Sequence, residues 1–187
     1  MKRKPMELIE LETERLYLRQ WQDSDRAPFA QLNADYRVME CFPATLDPAA
    51  SDALVERLQA FILQHGWGFW AAELKETGAF IGFIGLNIPG YDLPFSPCVE
   101  IGWRLAFSYW GKGLATEGAK AALRCGFESL NLLEIVSFTA EQNTRSRNVM
   151  KRLGMTEAGT FYHPLVPAES PLRLHYWYRL DREMYGT

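Results

Sequence analysis

Apolar positions along the chain change period several times, and each change marks an element. In "LETERLYLRQW" Leu16 and Leu18 alternate with Tyr17 and Arg19, the pattern of a short strand. Asp23-Ser24-Asp25 then starts a helix predicted to run to about Ala34, and "NADYRVMECFPATLDP" reads as irregular. Leu54, Leu58, Phe61 and Ile62 recur at helical spacing, predicting a helix from Pro48-Ala49 to His65-Gly66. "GWGFWAAELKETGAFIGFIGLN" gives two strands joined at Glu76-Thr77-Gly78. After a proline-containing loop, residues 98–107 alternate Val99, Ile101, Trp103, Leu105 against Glu100, Gly102, Arg104, Ala106, a third strand. From Gly113 the period lengthens. Leu114, Gly118, Ala122 and Gly126 form one helical row, with small residues that let the helix lie close to a sheet. "LEIVSFTA" is a strand, Asn143 caps a short helix, and Gly154 ends it. "TEAGTFYHPLV" and "LRLHYWYRL" are two late antiparallel strands.

This order predicts a mixed α+β fold, a mostly antiparallel sheet covered by helices. A doubly wound parallel fold is excluded, because the central three strands have no helices between them. No repeat or linker divides the chain, so residues 1–187 are expected to form one domain.

Composition narrows the setting. Twenty Lys+Arg against 23 Asp+Glu give a net charge of −3, which predicts no general affinity for nucleic acid or an anionic membrane. Cys41, Cys98 and Cys125 are neither even in number nor closely spaced, which excludes a disulfide scaffold and a zinc cluster. His65, His163 and His175 make no metal site by spacing. No apolar run has the length of a membrane span or the form of a signal peptide, so the expected compartment is the cytoplasm. A homodimer is left open.

The stretch "FSYWGKGLAT" carries the chemistry. The first amides of a helix have no partner within it and form a site for anions. Gly111 and Gly113 keep that turn free of side chains, and Lys112 adds a charge. The pattern is not a P-loop, and Glu117 stands before Gly118 where a dinucleotide fingerprint needs its third small residue. A tight strand-to-helix turn without a ligand has the same spacing.

"VEIGWRLAFSYWGKGLATEGAKAALRCGFE", followed by "NTRSRNVMKRLGM", resembles the GCN5-related N-acetyltransferase superfamily, and within it the ribosomal-protein alanine N-acetyltransferase branch. The likeness begins at "ETERLYLR" and covers nearly the whole chain. It implies a central sheet splayed between two strands, with acetyl-coenzyme A as co-substrate and no metal. The superfamily turn [RQ]-x-x-G-x-[GA] falls on Trp110, Gly111, Lys112, Gly113, Leu114 and Ala115, with Thr116 following. Trp110 replaces the usual arginine or glutamine, as is common in the resembled branch. The resemblance gives these amides the pyrophosphate and the backbone around Trp103, Arg104 and Leu105 the pantetheine arm. Asn143 falls where the family places an asparagine near the pantetheine, and a plain helix cap is its other reading. Lys112, Arg145 and Arg147 are candidates for the phosphates, or solvated charges.

Acetyl transfer needs an uncharged amine, donors for an oxyanion and an exit for a thiolate. Gly102 to Leu105 is the candidate oxyanion region. Deprotonation at pH 7 costs about 1.4 kcal/mol for an α-amine of pKa ~8, but about 4.6 kcal/mol for a lysine of pKa ~10.4. Glu100 is the candidate base if desolvation raises its pKa; a salt-bridged or solvent-facing strand residue is the alternative. Many relatives carry a tyrosine four residues before the glycine that ends the last helix, and here that position is Met150. The ribosomal branch instead offers a serine three residues after the asparagine, which makes Ser146 the candidate donor to the leaving sulfur. Trp67, Phe69 and Trp70 line an acceptor channel or pack the core. The segments Asn33–Pro48 and Pro164–Pro171 are expected to shape acceptor choice. The preferred acceptor is a protein or peptide N-terminal amine. A small amine such as an antibiotic or polyamine, and a non-catalytic acyl-coenzyme A sensor, are the competing readings.

Overall fold

A computed structural model describes residues 7–186. Eight strands form one sheet in the order β1-β2-β3-β4-β5-β6-β8-β7. They are β1 Leu11–Glu12, β2 Leu16–Arg19, β3 Phe69–Leu74, β4 Ala79–Asn87, β5 Glu100–Leu105, β6 Glu134–Ala140, β7 Thr156–Tyr162 and β8 Leu174–Asp181. Only the β5–β6 pair is parallel. The helices are α1 Arg26–Ala34, α2 Tyr36–Met39, α3 Pro48–His65, α4 Leu114–Arg124 and α5 Thr144–Arg152. The expected mixed, mostly antiparallel sheet with covering helices is present.

Local signals explain the helix ends. Asp47 accepts from the Ala50 amide, Pro48 sits in the first turn of α3, and Gly66 closes it with φ 81°. Asn143 caps α5, and Gly154 follows it with φ 80°. The irregular segment expected after Asn33 is corrected in one respect. Asp35 accepts from the Arg37 amide and nucleates the single-turn helix α2. The helix expected from Asp23 opens as a 3-10 turn, Asp23–Asp25, before α1 begins.

Leu16, Leu18, Phe29, Trp70, Ile84 and Ile101 are among the side chains at the centre of the core. Trp70 is fully buried, with its indole N–H donating to the Ile9 carbonyl, and Trp67 packs on Phe61. Of the three aromatics weighed as channel residues, only Phe69 reaches the cavity described next.

No helix among the described residues is long and apolar enough to cross a membrane.

Candidate active site

β5 and β6 begin as neighbours and then separate. Their ladder holds a single register pair, Glu100 with Val136, joined by the Val136 amide donating to the Val99 carbonyl at 2.9 Å. One residue further on, a side chain has replaced the backbone, and Ser137 Oγ donates to the Ile101 carbonyl at 2.9 Å. Beyond that point the strand edges are open. They border a cavity of about 650 Å³, within the usual range for ligand clefts.

Strand alternation decides which backbone groups face this opening. The Ala106 amide bonds the Ile81 carbonyl of β4, so the even-numbered residues of β5 spend their amides and carbonyls on β4. Val99, Ile101, Trp103 and Leu105 turn theirs toward β6. Of the candidate pantetheine segment, Trp103 and Leu105 therefore present backbone to the wedge, and Arg104 presents none. The Leu105 carbonyl is already taken by the Trp110 indole N–H at 2.8 Å. Among the described residues no ladder pair to β6 engages Trp103, which turns its amide and carbonyl to the open edge.

The glycine turn lies at the end of the same strand. Gly111 and Gly113 have φ of 74° and 78°, the left-handed region that side-chain-bearing residues avoid. A Cβ on Gly111 would meet no protein atom within 4 Å, so the turn is bare on its outer side. The amides of Gly111 through Thr116 find no backbone acceptor, and helical bonding starts with the Glu117 amide on the Gly113 carbonyl at 3.0 Å. From behind, Arg15 ties the turn down. Its Nη1 donates to the Lys112 carbonyl at 3.0 Å, and its Nε donates to Glu117 at 2.7 Å. Lys112 is exposed, with its ammonium 5.5 Å from the Tyr109 ring.

Glu100 sits in the cavity wall. Burial pushes its carboxyl up to about 7, against the pull of the Asn87 amide, which donates to Glu100 Oε1 at 2.7 Å. Among the described residues no cation lies within ion-pair distance of Glu100, so the salt-bridged alternative finds no partner there.

Across the wedge, Asn143 performs its capping role on both sides of its amide. Oδ1 accepts from the Ser146 amide at 3.1 Å, and Nδ2 donates to Thr139 Oγ1 at 2.9 Å. Ser146 and the buried Met150 line the same wall. Arg147 does not line the cavity. Its guanidinium stacks 3.8 Å from the Tyr176 ring and reaches Tyr178 and Glu157, held against β8 by those partners. Arg145, paired with Glu40, and Arg152 line the cavity instead.

Sequence reasoning left Tyr91 and His163 without a role, and read His175 as a strand residue near the acceptor. Tyr91, His163 and His175 meet at the β7–β8 end. The Leu165 amide donates to His163 Nδ1 at 3.2 Å, which leaves Nε2 to carry the proton and donate to Tyr91 Oη at 3.2 Å. Burial and the neighbouring His163 push His175 down to about 4, so this end of the cavity is uncharged at neutral pH. No group of three or more His, Cys, Asp or Glu suited to a metal occurs among the described residues.

A split parallel pair borders a cavity beside a bare, glycine-built helix start, an arrangement open to an extended, anion-bearing ligand. A family model described as Acetyltransferase (GNAT) domain matches residues 15–156, and the chain belongs to that family. It is an acetyl-coenzyme A-dependent N-acetyltransferase. An uncharacterized protein, YkkB of Bacillus subtilis (strain 168), is 32% identical over 146 residues, 78% of this chain and 84% of that protein. The structure of an acetyltransferase from Agrobacterium tumefaciens str. C58 is 30% identical with a TM-score of 0.75, covering 97% of this chain and 99% of its own. The ribosomal-protein-S5-alanine acetyltransferase from Vibrio fischeri shares the fold, with TM-score 0.71 and 20% identity over 94% of this chain and 97% of its own.

Proposed function

We propose that the chain acetylates the α-amine of a protein or peptide N-terminus, with Glu100 as the base. The carrying observation is a carboxyl held near 7 in the wall of the cavity that the open edge of β5 borders. At neutral pH about half of such a group is ionised, enough to take a proton from an amine of pKa ~8 at little cost. A lysine acceptor would ask for more than such a base supplies. The name of the Vibrio fischeri protein points the same way for that protein. Polyamines are disfavoured by charge. Glu40 and Glu100 are the only carboxylates in the lining, against Arg104, Arg145 and Arg152, and Glu40 is paired.

The residues present fit acetyl-coenzyme A. The left-handed Gly111 and Gly113 form a cradle that side chains would fill, and the amides from Gly111 to Thr116 are suited to a diphosphate. Trp103 and Leu105 offer the strand edge to an amide-bearing arm. When bound, acetyl-coenzyme A supplies an activated acetyl thioester. The Trp103 N–H, fixed by the β4–β5 ladder, is the donor best placed for charge developing on an oxygen in the wedge. Ser146, oriented by the Asn143 cap, is the hydroxyl available to a departing sulfur.

Incubation of the protein with acetyl-coenzyme A and two libraries, N-terminal peptides and small amines, tests this reading. Thiol release matched by a mass gain on peptide α-amines is expected. Acetylation confined to internal lysines or to small amines would remove the proposed acceptor.

A further inference from the structure

Arg104 shares a face of β5 with Glu100 and Gly102, and all three line the cavity. Arg104 is half-buried, its guanidinium 4.2 Å from the Phe42 ring centroid and 5.4 Å from that of Phe83. It makes one hydrogen bond, from Nη1 to Asn33 Oδ1 at 2.8 Å, and its buried Nε has no partner. Asn33 is itself fully buried, and its Nδ2 donates to Ser51 Oγ at 3.0 Å, which turns the amide oxygen toward Arg104. Among the described residues no carboxylate lies within ion-pair distance of Arg104.

The contrast with Arg19 is instructive. That residue is also half-buried, yet Asp25 and Glu73 both meet it, at 2.8 and 2.6 Å. Arg145 and Arg147 likewise have Glu40 and Glu157. Arg19, Arg145 and Arg147 thus each have a counter-charge, and Arg104, which faces the cavity, has none among the described residues. Burial lowers the Arg104 guanidinium only to about 10, so it remains charged at neutral pH. A desolvated cation with unused donors in a ligand cavity calls for an anion, and a planar carboxylate matches its fork. Between Arg104 and Glu100 the strand carries only Gly102, where a Cβ would come within 3.1 Å of the Phe69 ring. The Phe69 ring therefore covers the step between the base and the guanidinium and gives that part of the cavity an apolar wall.

We propose that Arg104 reads a carboxylate on the acceptor, so that the preferred acceptors are amines bearing a carboxylate a few bonds away, such as peptides that begin with Asp or Glu. This rests on the amine-acetylating reading above. The strand interval from Glu100 to Arg104 is about 13 Å between Cα atoms. Asn33 and Ser51 act as positioning residues that aim the guanidinium.

The test uses the full chain and matched peptides with amidated C-termini, beginning Asp or Asn and Glu or Gln. For each pair kcat/KM is measured with acetyl-coenzyme A, and equilibrium binding with coenzyme A present. A preference of roughly tenfold to a hundredfold for the carboxylate member is expected in at least one pair. In Arg104→Met that ratio falls toward one. Asn33→Asp supplies an internal counter-charge while keeping the shape of the side chain, and the ratio is expected to fall there too, which keeps the idea exposed should Arg104→Met not fold. A ratio near one in the wild type for both pairs overturns the proposal. So does a ratio that survives both substitutions, or an effect confined to donor affinity, which would assign Arg104 to the acyl carrier. Acetylation of the neutral members without preference refutes only the carboxylate reading. Acetylation of no peptide α-amine refutes the acceptor class, and the binding ratio then still decides on Arg104.

Discussion

Replacing Glu100 by Gln separates a catalytic carboxylate from a structural one, because the two roles move activity and stability in opposite directions. Gln keeps the shape and the oxygen that accepts from Asn87 at 2.7 Å. What it removes is an ionisable group held at about 7 where an unperturbed glutamate stands at 4.5. Ionising Glu100 in the folded protein therefore costs roughly 3 kcal/mol more than in the unfolded chain. The raised pKa fixes the sign. The contribution of this group to stability is fully present below pH 4.5 and is lost as pH rises through about 7. Glu100→Gln should then match the wild type in Tm near pH 4.5 and exceed it at pH 8, by several degrees at about 2–4 °C per kcal/mol. Over the same range it should lose activity, by roughly a hundredfold or more if Glu100 is the base. The wild-type kcat/KM for an α-amine should rise through two ionisations, the carboxyl near 7 and the amine near ~8, and the variant should keep only the second. Calorimetric Tm across pH, together with a thiol-release pH profile, measures both. Retention of most activity with an unchanged lower limb would falsify the base assignment. A Tm that drops at pH 8 would refute the burial argument beneath it.

Three further outcomes follow from the same geometry. Gly113→Val places a β-branched residue at φ 78°, which costs roughly 1–2 kcal/mol locally and crowds the bare turn; titration of the folded variant with acetyl-coenzyme A should show donor affinity weakened at least about tenfold. Asn143→Ala removes the cap on Ser146 and the bond to Thr139, so Tm should fall by the few degrees that about 1 kcal/mol represents, and no change in Tm would mean the cap carries no stability. Ser146→Ala should lower kcat with little change in donor affinity, and a donor with a lower-pKa thiol should recover most of the loss; equal defects with both donors would exclude Ser146 from stabilising the leaving sulfur.

The elements whose instructions are local were legible in the sequence. Helix α3 is bounded by Pro48 and a left-handed Gly66, and the hairpin turn contains Gly78 at φ 68°. The glycine turn was legible for the same reason, since positive φ at Gly111 and Gly113 is a demand of the backbone itself. What escaped depends on distant partners. Alternation placed Arg104 on the face with Glu100, but it could not show that Asn33, 71 residues away, would hold its side chain. It assigned the Arg104 backbone to the wedge because the side on which β4 pairs is not written in β5. Arg147 and Arg145 look alike in sequence, yet Tyr176 and Tyr178 hold the first against β8 and only the second borders the cavity. Helix α2 was hidden in a polar stretch whose single useful signal is the Asp35 cap.

The width of the wedge is set from behind rather than by the strands that border it. Past Ser137 no ladder bond holds β5 to β6, so some other element must fix their separation. Helix α4 and the π-helical turn Cys125–Ser129 that extends it supply that element. At Gly118 the helix presses on β4, where a Cβ would stand 2.5 Å from Ile84 Cδ1. At Gly126 it presses on β6, where a Cβ would stand 2.6 Å from Ile135 Cδ1. One rigid body is thus seated on strands either side of the opening, and both seats require the absence of a side chain. The same helix begins at the glycine turn, so the anion cradle and the strand gap are set by one element and keep a fixed relation. A methyl at either seat must displace an isoleucine Cδ1, and in so far as that buried side chain stays in place the helix lifts and tilts the cradle relative to β5. Gly118→Ala should therefore weaken donor binding although residue 118 lies in the buried seat on β4 and not in the cavity lining. Titration with coenzyme A reads this directly, and full affinity in a folded Gly118→Ala protein would mean that the cradle and the gap are set independently.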